Sequence, residues 1–238
     1  MSSSKQTGFR REIRSYILRA GRMTQGQQQA MDELYPQFGL DISDFDGGRL
    51  DCSQVFGNSR PVAVEIGFGD GEALVEMAVA NPHINYIGIE VHPPGVGHLL
   101  LRIREIELGN VRMFRDDAVA VIRDCIQENS VDLFCMYFPD PWPKKKHHKR
   151  RLLQSGFADL LRDRLKPGGH FHFATDWEEY AMHALECLED CRELQNVAGA
   201  GNYSSRPESR PLTKFERRGQ KLGHAVFDII MQKTTPRN

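Results

Sequence analysis

The sequence predicts an α/β fold, a mostly parallel sheet with helices on both faces. Three observations predict it. From Pro61 onward, short apolar runs alternate with helical patterns. Glycines fill the first strand-to-helix turn, and acidic residues stand at the ends of several strands. Strands that alternate with helices build right-handed βαβ units, and these lie parallel under helical layers.

The elements follow in order. Residues 1–58 look like an extension. Residues 1–24 carry Lys5, Arg10, Arg11, Arg14, Arg19 and Arg22 against Glu12 alone, and a Gln-rich stretch and a Gly- and Asp-rich segment come next. The chain thus divides into a basic extension, 1–58, and an α/β domain, 59–238. Val62–Ile66 reads as a buried strand, Gly67–Gly71 as a turn and Glu72–Ala80 as a helix. Asn85–Val91 is a second strand, Gly97–Leu108 a helix, Val111–Arg115 a third strand and Ala118–Gln127 a helix. Val131–Phe138 is a strongly apolar strand. A helix over Leu152–Leu165 should stop at Lys166-Pro167-Gly168-Gly169, where proline lacks a donor and glycine accepts a left-handed cap. His170–Ala174, Leu194–Ala198 and Ala225–Met231 complete seven strands, with a helix over Glu178–Cys191. The link 199–223 is long for a compact domain and rich in Gly, Ser, Pro and Arg; loops of that kind are usually functional or disordered.

Composition narrows the class. A chain of 238 residues can bury a real core. The formal net charge is −1, so no global field attracts nucleic acid, yet the cations are clustered. The five cysteines form no CxxC pair and no zinc spacing, which predicts reduced thiols and no metal. The N-terminus lacks an apolar signal region, and no apolar run reaches the roughly 20 residues of a membrane span. A cytoplasmic protein is the expectation.

Several motifs carry chemistry. Glu65-Ile66-Gly67-Phe68-Gly69-Asp70-Gly71 sits at a strand-to-helix turn. Gly67 and Gly69 let backbone approach a ligand, and free N–H groups open the helix. The spacing is GxGxG, and a carboxylate at Glu65 repels pyrophosphate; it suits a cationic or hydroxyl-bearing ligand such as S-adenosylmethionine. An ordinary tight turn is the bland alternative. Glu90, about 20 residues further on, can accept from both ribose hydroxyls, of S-adenosylmethionine or NAD alike. Asp117 can accept from an adenine amino group or cap the next helix.

Phe138-Pro139-Asp140-Pro141-Trp142-Pro143 pins an acid between prolines. Lys144, Lys145, Lys146, His147, His148, Lys149, Arg150 and Arg151 follow at once. The prolines stiffen the loop, which suits a carboxylate held for chemistry and equally a structural turn. Trp142 can stack a base or pack on the sheet. A cationic strip beside a fixed carboxylate fits a polyanionic substrate. Asp176 can cap a helix or face the same crevice, and Thr213-Lys214-Phe215-Glu216 lies in the long loop, where it can close over a substrate.

Together these segments resemble the bacterial tRNA (guanine-N7)-methyltransferase family, of the class I S-adenosylmethionine-dependent fold. The segments are Glu65–Gly71, Gly88–His92 with Pro94–Gly97, Asp117-Ala118, Phe138–Arg151 and Arg210–Glu216, with Ile13–Tyr16 and Gly21–Thr24 at the start. The likeness covers nearly the whole chain; the Pro-Asp-Pro-Trp-Pro run with its cations and Thr-Lys-Phe-Glu are its specific parts. It implies a seven-stranded sheet with a C-terminal antiparallel strand, and S-adenosylmethionine held by Glu65, Gly67, Gly69, Glu90 and Asp117. It implies Asp140 as the catalytic residue, Lys144, Asp176, Thr213, Lys214, Phe215 and Glu216 on the substrate, and Lys146, His147, His148, Lys149, Arg150 and Arg151 against RNA. Lys146 stands where an Arg is expected; it keeps the charge and loses the bidentate fork. The implied reaction methylates N7 of the variable-loop guanine, position 46, with a basic, partly flexible extension on the tRNA. A monomer or homodimer with no obligate protein partner is expected. Competing readings are a methyltransferase for protein or small molecules, a non-catalytic RNA-binding module, and an NAD enzyme.

Overall fold

The computed structural model describes residues 15–16, 21–45, 49–213, 216–217, 219, 223 and 225–235. The strands are β1 (Gly39–Leu40), β2 (Val62–Ile66), β3 (Asn85–Ile89), β4 (Val111–Phe114), β5 (Val131–Tyr137), β6 (Leu165–Thr175), β7 (Leu194–Asn196) and β8 (Phe227–Lys233). The α-helices are α1 (Gln25–Phe38), α2 (Cys52–Phe56), α3 (Glu72–Ala80), α4 (Pro93–Glu105), α5 (Ala118–Asp124), α6 (Ser155–Arg164) and α7 (Glu178–Glu189). The sheet order is β1-β4-β3-β2-β5-β6-β8-β7. Pairing is parallel from β1 through β6, and β8 runs antiparallel to both β6 and β7.

Every residue of β2 and β3 is buried, as a parallel sheet covered on both faces requires. Side chains alternate between two cores. Val64, Ile66, Phe134 and Met136 pack with α5, α6 and α7 on one face. Ala63, Cys135 and Tyr137 pack with α1, α3 and α4 on the other. Glu65, in step with Ala63, belongs to the second face. The chain builds β2, β3 and β4 outward to one side, then places β5 on the opposite flank of β2. That reversal opens a crevice at the carboxyl ends of β2 and β5, where open α/β sheets bind ligands.

The seven expected strands all form, and β1 adds a two-residue edge strand beside β4 (Gly39↔Met113). The helix before it, α1, opens on a capping box between Thr24 and Gln27. The Gln27 amide also donates to Pro94 O (3.1 Å) at the start of α4. Gly97 permits this approach, since a Cβ there would lie 2.9 Å from Gln27 Cβ.

Several boundaries differ from the expectation: α4 starts at Pro93 rather than Gly97, α6 starts at Ser155 rather than Leu152, and β6 starts at Leu165 rather than His170. Lys166-Pro167-Gly168-Gly169 does not separate helix from strand; β6 begins at Leu165 and contains it. The register passes from Val131↔Leu165 to Leu133↔His170, so the extra residues bulge out of the ladder. A bulge accommodates Pro and Gly within a sheet. Gly168 has φ +82°, and a Cβ on Gly169 would meet two carbonyl oxygens within 3.0 Å. Among the described residues no helix is long and apolar enough to cross a membrane, and no group of three or more His, Cys, Asp or Glu could hold a metal ion.

Candidate active site

The crevice holds a cavity of about 300 Å³, lined from β2, β3, β5 and the long C-terminal loop. Its floor is the turn after β2. Gly67, Gly69 and Gly71 have φ of +73°, +62° and +82°, a region that favours glycine. The first turn of α4 presses on this loop: a Cβ on Gly95 would lie 2.0 Å from Gly69 O. Glu90 fastens the two pieces. One of its oxygens accepts from Gly69 N (2.9 Å), the other from Val91 N (2.7 Å) and His92 N (3.0 Å).

Glu65 is 3 % exposed, and its Oε2 is buried without a hydrogen-bond partner among the described residues. Burial, reinforced by the Glu90 and Asp70 carboxylates, pushes its pKa up to about 8. Among the described residues the lining also includes Glu72, Glu76, Asp116 and Asp140, against one cation, Arg217. Such a cavity favours a cationic ligand.

Asp140 lines the cavity and is exposed. Its loop leaves β5 through Phe138, whose N–H donates to Ala174 O (2.8 Å) at the end of β6. Phe138 and Trp142, each preceding a proline, have φ of +52° and +47°. Bulky residues seldom occupy that region, and strain of this kind persists only where surroundings enforce it. Arg151 supplies part of the enforcement. It is 3 % exposed, donates from Nε to Pro141 O (2.9 Å), and stacks its guanidinium over Tyr180 (5.0 Å).

A family described as putative methyltransferase matches residues 59–229. A tRNA (guanine-N(7)-)-methyltransferase of Pseudoalteromonas translucida is 48% identical over 235 residues, covering 98% of this chain and 96% of that protein. Another, from Ectopseudomonas mendocina, is 50% identical over 224 residues, covering 94% and 93%. The chain belongs to the tRNA (guanine-N7)-methyltransferase family. Its fold is also that of the 16S rRNA methyltransferase KamB, with a TM-score of 0.55, 13% identity, and coverage of 77% of this chain and 92% of that one.

Of the residues that the family resemblance singled out, Glu65, Gly67, Gly69, Glu90, Asp140 and Thr213 line the one cavity. Asp117 does not. Its Oδ1 caps α5, accepting from Val119 N (2.9 Å) and Ala120 N (3.2 Å), while its neighbour Asp116 lines the cavity. Asp176 follows β6, half-buried, on the neighbouring strand end. Lys214 and Phe215 lie outside the described residues. Glu216 is buried, with both oxygens on the Arg210 guanidinium (2.5 and 3.0 Å). Thr213 Oγ1 accepts from Glu216 N (3.1 Å).

The basic run forms a 3-10 helix, Lys145–Arg150. Lys144, Lys145, Lys146 and Lys149 are exposed, and His147, His148 and Arg150 are half-buried. Arg150 stacks over Trp142 (4.9 Å), and His148 faces Glu179 (3.4 Å). Lost hydration and the cations Lys146, Arg150, Lys144 and Lys149 hold the His147 pKa below its usual value. Arg151, expected among the RNA-facing cations, is instead buried behind the Asp140 loop. Motif reading missed Asp70, Asp116 and Arg217 in the lining, and the partners of Glu216. The acids were visible beside the motif residues; Arg217 carried no signal apart from its basic neighbour.

Proposed function

We propose that this chain transfers the methyl group of S-adenosylmethionine to N7 of a guanine in tRNA, the variable-loop guanine at position 46. One observation carries the reading: a buried carboxyl with an unpartnered oxygen, Glu65, in an acidic cavity that opens beside Asp140 and an exposed cationic strip. S-adenosylmethionine fits that donor set, for its cationic end suits Glu65 and its ribose hydroxyls suit the lone pairs left on Glu90. When bound, it supplies an electrophilic methyl on a sulfonium.

The protein residues then do the following. Glu65 and Glu90 hold the cofactor, and the glycines of the turn let it approach the backbone. Asp117 remains a capping residue, and Asp116, which lines the cavity, would be the carboxylate available to an adenine amino group. Guanine N7 has an in-plane lone pair and no proton, so no residue need act as a strong base. Asp140 stabilises the positive charge that grows on the base, or holds guanine through its N1–H and amino donors, with Asp176 and Thr213 as helpers. Alignment and charge complementarity supply the rate. Lys144, Lys145, Lys146 and Lys149 grip phosphates, and His147, His148 and Arg150 stiffen that surface. N7 is hard to reach in an A-form groove, which favours a guanine outside regular helix. The site of action is the cytoplasm, with a single chain or a homodimer as the working unit.

The test is transfer from labelled S-adenosylmethionine to an unmodified tRNA, against the same tRNA with 7-deazaguanine at position 46. The proposal expects labelling of the first and none of the second. Equal labelling of both would overturn the assignment of the atom and position.

A further inference from the structure

The link between β7 and β8 carries Thr213 and Arg217 to the cavity. What holds it is a buried polar chain. Arg210 is fully buried. Its guanidinium takes both oxygens of Glu216 and also meets Asp228 on β8, Nε to Oδ1 at 2.8 Å and a terminal nitrogen to Oδ2 at 3.2 Å. Asp228 Oδ1 contacts His172 Nε2 (2.7 Å) on β6, and His172 Nδ1 lies 3.3 Å from the Tyr137 hydroxyl on β5. The same guanidinium lies over the rings of Tyr137 (5.9 Å) and Phe138 (5.7 Å), and Phe138 is the left-handed residue that opens the Asp140 loop.

Buried ion pairs are a poor source of stability, because desolvation offsets their attraction. They do fix geometry, since removing any member strands a charge. The fork of Arg210 meets both oxygens of Glu216, one with each terminal nitrogen, an arrangement a lysine cannot copy. Pro211, Leu212 and Thr213, next in sequence, line the cavity.

We infer that Arg210 is a positioning residue for methyl transfer: it ties residues 210–213 and Glu216 to the start of the Asp140 loop, so that the acceptor side of the cavity has one geometry. This rests on the function proposed above. Glu65 and Glu90 lie on other elements, so cofactor binding does not depend on the lock.

The experiment measures two quantities in wild type, Arg210→Lys, Arg210→Gln, Glu216→Gln and the Arg210→Gln/Glu216→Gln double variant. One is the single-turnover rate of methyl transfer to unmodified tRNA at saturating S-adenosylmethionine; the other is the cofactor dissociation constant. Displacement of positioned groups by about 1 Å costs on the order of a hundredfold in rate. Arg210→Lys should lose about that much, with cofactor affinity close to wild type. The double variant should be no slower than the slower single variant, because both remove one lock. Arg210→Lys keeps the buried charge and decides the matter if the glutamine variants do not fold. A wild-type rate in Arg210→Lys, a parallel loss of rate and cofactor affinity, or multiplying effects of the two glutamine changes would each overturn the inference. Failure of the wild-type protein to methylate tRNA would instead strike the proposed function.

Discussion

Glu65 sets the electrostatics of the cofactor side. Among the described residues, the titratable groups that act on it or feel its charge are neutral or acidic: Glu90 after β3, Asp70 in the glycine turn, Tyr86 on β3, and Cys135 and Tyr137 on β5. Its pKa of about 8 in the folded chain exceeds the ordinary 4.5, so the folded state prefers it protonated. That contribution to stability is complete below 4.5 and is lost as pH rises through about 8. A bound cation has the opposite preference. Cofactor affinity should therefore rise with pH, approaching about tenfold per unit below the folded pKa, and the Glu65→Gln variant should lose most of that slope. Calorimetric titration across pH measures it, and a flat profile in the wild type would contradict the charge assignment. Asp140 is exposed and, in the proposed reaction, belongs to the acceptor side. Asp140→Ala should slow turnover on the order of a hundredfold to a thousandfold with little change in cofactor binding; near wild-type turnover would remove it from the chemistry.

Two elements bring the site together. The first turn of α4 meets the glycine turn at Gly95, where the obstructing atom is the Gly69 carbonyl oxygen. Backbone cannot step aside as a side chain can. Gly95→Ala should cost about 1–3 kcal/mol in stability and weaken cofactor binding, as denaturant unfolding and calorimetry would show. The basic 3-10 helix acts differently, through exposed charge. Changing Lys145, Lys146 and Lys149 together to Ala should raise KM for tRNA and lower the salt slope of binding by about three. An unchanged slope would place the RNA elsewhere.

At this scale much was legible beforehand. Apolar runs such as Val62–Ile66 and Val131–Tyr137 can only be central strands, and the glycine turn marks the crevice. The two residues of β1 are too few for any periodicity. Lys166–Gly169 reads as a helix stop because Pro and Gly punctuate both turns and bulges. Arg151 and Lys149 look alike in sequence, yet one is buried and the other exposed, because the Asp140 loop folds over one of them. Glu216 looks like a substrate contact in sequence, yet both its oxygens meet the guanidinium of Arg210, 6 positions before it, a pairing that no local pattern announces.

The whole molecule separates charge. A net charge of −1 conceals an acidic cavity and an exposed cationic strip on either side of one carboxylate loop. The acidic side suits a cationic donor, the basic side a polyanion, and the strand reversal between β2 and β5 puts their boundary at the carboxyl ends of the strands. In the proposed reaction, methyl transfer would carry positive charge across that boundary, from sulfonium to base, with Asp140 on the receiving side. The most direct measurement incubates the protein with S-adenosylmethionine and unmodified tRNA, then cleaves the product chain at 7-methylguanine. A single cut at the variable-loop guanine is the predicted result. Cuts elsewhere, or none in the presence of bound cofactor, would contradict the account.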